Sequence, residues 1–156
     1  MTTYLQKAFL IITIFCLFII SDINAQSKGF GLGVMLGQPT GISAKLWLSK
    51  TSAIAAGGAW NFKNKALQVQ VDYLHHFNDV FPITVGKMPV YAGVGASINF
   101  KNDGTEPDYG IRLPVGISYY LPISNVDVYV EAVPIIIIKP VSRVGLNGNI
   151  GVRYFF

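Results

Sequence analysis

The sequence predicts an all-β fold: an eight-stranded antiparallel up-and-down transmembrane β-barrel preceded by a signal peptide. One observation is composition, because only 13% of the 156 residues are charged and 51% are hydrophobic, whereas a soluble domain carries about 25% charged residues. A second is that no apolar run after residue 20 approaches the roughly 20 residues of a spanning helix. The third is a period-2 alternation of apolar and polar residues. A closed barrel satisfies all three, because it leaves no strand edge unpaired in lipid.

Residues 1–25 are predicted to be an export signal that is removed from the mature chain. Lys7 supplies a positive charge before a 13-residue apolar stretch, and Ala25 offers a small residue at the cleavage point. The alternative is a membrane anchor, but 13 helical residues span about 20 Å, short of the roughly 30 Å hydrocarbon core. Cys16 would leave with the signal, so the predicted barrel of residues 26–156 has no cysteine for a disulfide, a metal or a nucleophile.

Eight alternating segments follow the signal, and turn residues such as Gly, Pro, Asn and Asp separate them. The predicted strands are residues 29–37, 41–49, 53–62, 66–77, 88–100, 110–121, 125–137 and 143–156. Each strand with its turn has about 16 residues, which suits membrane strands of roughly 9 to 11 residues. Bacterial single-chain barrels have even strand numbers starting at eight. Eight strands are therefore predicted.

The alternation also predicts which face of the barrel is oily. In residues 67–73, the apolar side chains share one face, and Gln68, Gln70 and Asp72 share the other. The same parity predicts six inward charges, three of each sign: Lys45, Asp72, Arg112, Asp127, Glu131 and Arg153. Because an eight-stranded interior is only wide enough for side chains, these charges predict an ion-paired plug without an open pore. A proton or ion path is the alternative function of the same charges.

Two prolines interrupt this pattern in adjacent strands. Pro114 falls in the sixth predicted strand and Pro134 in the seventh. Proline removes a ladder hydrogen bond that lipid cannot replace. We therefore expect either a bulge at this point or a lateral gap that admits lipid.

The last eight residues, 149–156, carry the most specific pattern. A polar residue is followed by Gly151 and then by aromatic side chains at Tyr154 and Phe156. This resembles the terminal signal by which the barrel-assembly machinery of bacteria recognises outer-membrane proteins through strand-edge pairing. Across residues 29–156 the chain resembles small outer-membrane barrels of the OmpA/OmpX-like class. The resemblance implies an outer-membrane location in a Gram-negative-type envelope, and it implies no reaction.

The first predicted turn contains a short motif. The segment Gly37-Gln38-Pro39-Thr40-Gly41, followed by Ser43 and Lys45, resembles an uncharacterised family of such barrels with a Gly-x-Pro-Thr-Gly first loop. The resemblance implies Glu at the position of Gln38, so this chain departs from the pattern by one charge.

No catalytic, cofactor-binding or metal site is predicted. His75 and His76 fall at the inner rim, and Asp72 lies about 13 Å from His76 along the strand, too far for a hydrogen bond. An acidic loop lacks the regular ligand spacing of a calcium loop and is predicted to be a solvated turn; its residues are Asp103, Glu106 and Asp108. The 12 Lys and Arg are scattered singly, which disfavours nucleic acid as a partner.

The predicted function is a monomeric structural or interaction barrel that contacts outer-membrane lipids. Four cations near the predicted outer rim are candidates to pair with lipopolysaccharide phosphates: Lys63, Lys65, Lys139 and Arg143. The alternative is a lipid-modifying enzyme with lateral lipid access between strands six and seven, at Pro114 and Pro134. A soluble binding barrel conflicts with the outward apolar face, because it would carry a polar exterior.

Overall fold

The computed structural model describes residues 29–61, 66–101, 104–122 and 124–156. Several sequence predictions lie outside these residues, namely the signal peptide at 1–25 with Cys16, the last residue of the predicted strand 53–62, and Lys63, Lys65 and Asp103. In the described ranges, no helix is long and apolar enough to cross a bilayer.

Nine strand segments make up the described fold. They are β1 (Phe30–Gln38), β2 (Gly41–Trp47), β3 (Ser52–Asn61), β4 (Ala66–Phe77), β5 (Val90–Phe100), β6 (Asp108–Arg112), β7 (Val115–Tyr120), β8 (Val126–Lys139) and β9 (Arg143–Phe155). All neighbours are antiparallel, and β1 pairs with β9 to close the ring. Segments β6 and β7 both lie between β5 and β8. They are therefore two halves of one wall strand, and the prediction of an eight-stranded barrel is confirmed.

The predicted strand bounds agree with the structure within two residues at every strand end. The sixth predicted strand differs in one respect, because regular strand structure is interrupted at Leu113 and Pro114. The agreement arises because turn residues and the loss of alternation mark the points where each strand leaves the sheet.

The register of the ladders sets the tilt of the strands. Successive partners of Gly33 on β1 lead around the ring to Arg143 on β9, through Ser43, Gly57, Gln70, Ser97, Gly110 and Ile137. The direct partner of Gly33 on β9 is Arg153, ten residues further along. Eight strands with this stagger tilt by about 40° and enclose a space that side chains fill.

The strands stay paired at the two prolines. The Leu113 N–H donates to the Pro134 carbonyl oxygen at 2.9 Å, and the Gly93 N–H donates to the Pro114 carbonyl oxygen at 2.8 Å. The pairing of β6 and β7 with β8 keeps one register across this point. The expectation of a bulge at the prolines is corrected, because the register shift lies instead between Tyr109 and Gly110. Proline loses its N–H but keeps its carbonyl acceptor, so one of the two bonds of each pair survives.

The two faces of the barrel wall differ in polarity. Large apolar residues lie on the outside, where Val144 is 79% and Leu146 is 70% exposed. Charged residues lie inside, where Lys45, Arg112 and Asp127 are fully buried. A soluble barrel shows the opposite arrangement, so the polarity of this barrel is inverted.

Candidate functional site

The charged interior is the candidate site, and its first group lies near the end of the barrel that carries Phe30 and Phe155, here termed the terminal end. Lys45 Nζ lies 2.8 Å from His76 Nε2 and donates to the Tyr120 hydroxyl at 3.0 Å. The same nitrogen lies 4.5 Å from the centre of the Trp47 ring. Aromatic faces and a hydroxyl therefore surround this buried ammonium group and replace part of its hydration.

Asp127 joins Lys45 to a second cation. Its Oδ1 accepts a hydrogen bond from Arg153 Nε at 3.1 Å, and its Oδ2 lies 3.9 Å from Lys45 Nζ. The Arg153 guanidinium also lies 3.9 Å from the centre of the Tyr129 ring. The Tyr129 ring occupies the space that a side chain at Gly151 would take. One carboxylate thus lies between two buried cations.

Arg112 and Asp72 form an ion pair further along the axis. Arg112 Nε donates to Asp72 Oδ1 at 2.9 Å and to Oδ2 at 3.2 Å. Gly95 faces this pair, and a methyl group there would overlap Asp72 Oδ1. The terminal nitrogens Nη1 and Nη2 of Arg112 are buried and have no hydrogen-bond partner among the described residues. Asp72 is therefore the acceptor on which the buried guanidinium depends.

Glu131 is held by neutral donors. The Tyr91 hydroxyl donates to Glu131 Oε2 at 2.9 Å, and Asn149 Nδ2 donates to Oε1 at 3.0 Å. In the described part of the chain, no cationic nitrogen lies within 4 Å of this carboxylate. Lys45 and Arg153 thus share Asp127, and Glu131 is held by a phenol and an amide.

Asp108 forms a third charged group near the opposite end, here termed the far end. It accepts hydrogen bonds from Lys101 Nζ at 2.8 Å and from Arg143 Nη2 at 2.7 Å. The prediction that Asp108 lies in a solvated turn is wrong, because Asp108 begins β6 and is only 4% exposed. The sequence contains the pattern that predicts this burial, because Asp108, Gly110 and Arg112 occupy every second position and therefore share the inward face.

The two histidines separate to opposite faces of β4. His75 faces outward and packs edge-on against Phe77, with ring centres 5.1 Å apart. His76 is buried beside Lys45, a contact that spacing along one strand does not reveal. Among the described residues, no group of three or more His, Cys, Asp or Glu side chains is placed to hold a metal ion.

The three residues of the terminal motif lie on both faces of β9. Gly151 faces inward, whereas Tyr154 and Phe156 face outward with ring centres 5.2 Å apart. The Phe156 N–H donates to the Phe30 carbonyl oxygen at 2.9 Å, next to the ladder that closes the ring. The aromatic pair therefore lies at the terminal end of the closing seam.

The fold and its interior define a class: closed, antiparallel eight-stranded barrels with an apolar exterior and a charged, filled core. A particular structure of this class is similar to the chain, the N-terminal β-barrel domain of Pseudomonas aeruginosa OprF. The likeness has a TM-score of 0.63 at 12% identity and covers 83% of this chain and 98% of that one. A scan against protein-family models and a search of curated proteins find no match. The likeness supports the OmpA-like architecture, while the Gly-x-Pro-Thr-Gly resemblance stays a prediction.

Proposed function

We propose that the protein is a monomeric, integral outer-membrane β-barrel of structural or interaction type, with an ion-paired interior and no open pore. The inverted polarity of the barrel carries this proposal. A closed wall with fully buried Lys45, Arg112 and Asp127 and an apolar exterior is stable where the solvent outside is lipid. The fold likeness to the OprF barrel domain supports the same location.

The terminal end is proposed to face the periplasm, and the far end to face outward. Lys139 and Arg143 lie at the far end, where lipopolysaccharide phosphates are proposed partners. The Arg143 side chain is 55% exposed even though it binds Asp108. Nothing in the geometry of His76 or of the prolines favours a lipid-modifying reaction, because His76 contacts Lys45 at the opposite, terminal end.

The membrane assignment is tested on the refolded chain. We expect a barrel that needs detergent or lipid for solubility and that floats with vesicles. On a gel, the unheated barrel should migrate differently from the boiled chain, because a closed sheet resists detergent unfolding. A water-soluble monomer without detergent would contradict the proposal.

The filled interior predicts that the barrel does not conduct ions. Met35, Ala59 and Tyr129 form a buried apolar cluster within the same interior as the ion pairs. We expect no stable current steps after insertion into a planar bilayer, where an open porin serves as the positive control. Reproducible unitary steps would show a continuous water path and would overturn the plug.

The terminal motif predicts a role in assembly rather than in final stability. We expect Phe156→Ala to lower the amount of assembled barrel in bacterial cells several-fold, because the assembly machinery would lose its outward aromatic contact. The free energy of unfolding of the barrel refolded in detergent should change by less than about 1 kcal/mol, since Phe156 is 74% exposed. Phe100→Ala, which removes an outward aromatic at the far end, is the matched control. Equal cellular levels of both variants would argue against the assembly role.

A further inference from the structure

The barrel wall is level at the terminal end and uneven at the far end. At the terminal end, the Phe156 N–H still donates to the Phe30 carbonyl oxygen. At the far end, β1 stops at Gln38, whereas β8 continues to Lys139 and β9 begins at Arg143. Strands β1 and β2 have 9 and 7 residues, and β8 and β9 have 14 and 13. One side of the wall is therefore much lower.

The step lies between β9 and β1. Gln38 pairs with Gly148, and residues 143–147 of β9 have no partner on β1, every residue of which is described. A rise of about 3.3 Å per residue and a tilt of about 40° give about 2.5 Å per residue along the axis. Because the tilt also places each β1 residue about 3 Å above its β9 partner, the wall drops by roughly 10 Å here. We call this step, between residues 143–147 and the β1–β2 turn, the notch.

The first-turn motif keeps the β1–β2 turn low. Gly37 has φ +137°, in the region that favours glycine. The Thr40 hydroxyl accepts a hydrogen bond from the Gly37 N–H at 3.2 Å and donates to the Gly37 carbonyl oxygen at 3.0 Å. A methyl group at Gly41 would overlap the Gly58 carbonyl oxygen. These contacts reverse the chain within a few residues and hold the short hairpin against β3.

A cavity of about 160 Å³ lies inside the far end, and its lining has both polar and apolar residues. We call it the vestibule, and its polar lining residues are Gln68, Ser97, Asn99, Asp108, Arg143 and Asn147. All its described lining residues belong to β4, β5, β6, β8 and β9. No described residue of β1 or β2 lines the vestibule, and both strands end lower than the strands that do, so among the described residues the notch is the low side of the vestibule.

The charges of the vestibule favour an anion. Asp108 and Arg143 line the vestibule, and Lys101 binds Asp108 from outside the lining, so these three groups together carry one net positive charge. A phosphate group accepts charge-assisted hydrogen bonds of the kind that Lys101 and Arg143 can donate.

The outer flank of the notch is apolar. Val144 is 79% and Leu146 is 70% exposed on β9, and Leu36 is 59% exposed on β1. The nine residues of β1 rise about 20 Å, less than the roughly 25 Å apolar band of a membrane barrel. The notch therefore lies at the level of the outer leaflet, where lipid acyl chains can contact its flank.

We infer that the vestibule binds the phosphorylated head group of an outer-leaflet lipid, which enters sideways through the notch while its acyl chain stays in the bilayer. This inference rests on the proposed outer-membrane function and names a ligand class for it. It uses the far end of the interior and leaves the ion pairs of the plug intact.

Native mass spectrometry of the refolded barrel with three probes tests the inference. The probes are a 14-carbon lysophosphatidic acid, the monoacylglycerol of the same chain, and inorganic phosphate. We expect one lysophosphatidic acid to bind at least about tenfold more tightly than either other probe, because only it supplies both a charged head group and a chain. Equal binding of inorganic phosphate would show a site for soluble anions, and equal binding of the monoacylglycerol would show unselective chain contact; either result overturns the inference.

Two tryptophan variants on one hairpin localise the binding. A Cβ at Gly145 meets no atom within 4 Å on the vestibule side, so Gly145→Trp should fill the vestibule and weaken lysophosphatidic acid binding about tenfold. Ile138→Trp adds an indole to an outward position of β8 that is 51% exposed and does not border the notch, and it should bind as the unmodified chain does. Unchanged binding by Gly145→Trp overturns the inference. The heat-dependent gel shift of the same samples reports the proposed function separately, so lost binding with the shift retained counts against the lipid site alone.

Discussion

Replacing Asp72 with alanine is expected to destabilise the folded barrel by about 3–5 kcal/mol, because it leaves a buried guanidinium without its counter-charge. Arg112 is fully buried, and only its Nε has acceptors among the described residues, both of them on Asp72. The facing position is Gly95, which has no side chain that could replace the carboxylate. Urea unfolding in lipid vesicles, followed by tryptophan fluorescence, measures the change.

A charge-free double variant is the control for this prediction. Asp72→Leu combined with Arg112→Met removes both charges and keeps similar volume, so it should recover most of the stability that Asp72→Ala loses. Asp72→Asn, which keeps an acceptor for Arg112 Nε, should fall between the two. If Asp72→Ala unfolds at the same urea concentration as the unmodified chain, the pair contributes nothing and the ion-paired plug is wrong.

Replacing Gly33 with alanine is expected to weaken the closing seam between β1 and β9 by about 3 kcal/mol. Gly33 pairs with Arg153, and an added methyl would overlap the Val152 carbonyl oxygen and lie 2.7 Å from the Arg153 Cα. These are backbone atoms, which cannot rotate away as a flexible side chain can. The two strands would have to separate at the ladder that closes the ring.

The matched control for Gly33→Ala lies on the other strand of the same seam. Gly145→Ala also adds an inward methyl, but it meets no atom within 4 Å and should change stability by less than about 0.5 kcal/mol. The fraction of chain that shows the heat-dependent gel shift after refolding measures closure for both variants. Equal yields would mean that the seam relaxes around the methyl and does not limit folding.

The fold was predictable from the sequence because alternation is a local property. In residues 67–73 the polar side chains already point to one face, and the structure buries Gln70 and Asp72 while it exposes Val69 and Val71. Parity also placed Lys45, Arg112 and Arg153 on the inward face. It did so without any knowledge of which strands are neighbours, since each strand carries its own period.

The partners of the interior charges were not predictable in the same way. Parity assigns a face, but the height of a side chain along the axis depends on the register of every ladder between the two strands. Glu131 accordingly meets Tyr91 and Asn149 rather than a cation, and His76 on β4 meets Lys45 on β2, two strands away. Asp108 was assigned to a turn because it is the first residue of its strand and directly follows a loop, where the alternating pattern is only beginning.

By itself, the sequence determined the number of strands, their approximate bounds and the oily exterior, because these depend on residues close together in the chain. Only the tertiary structure decided which charges pair, that the strands stay joined at the prolines, and that one side of the wall is low. The pairing of the charges depends on the stagger of ten residues around the closed ring, which accumulates over every ladder and cannot be read from any single segment.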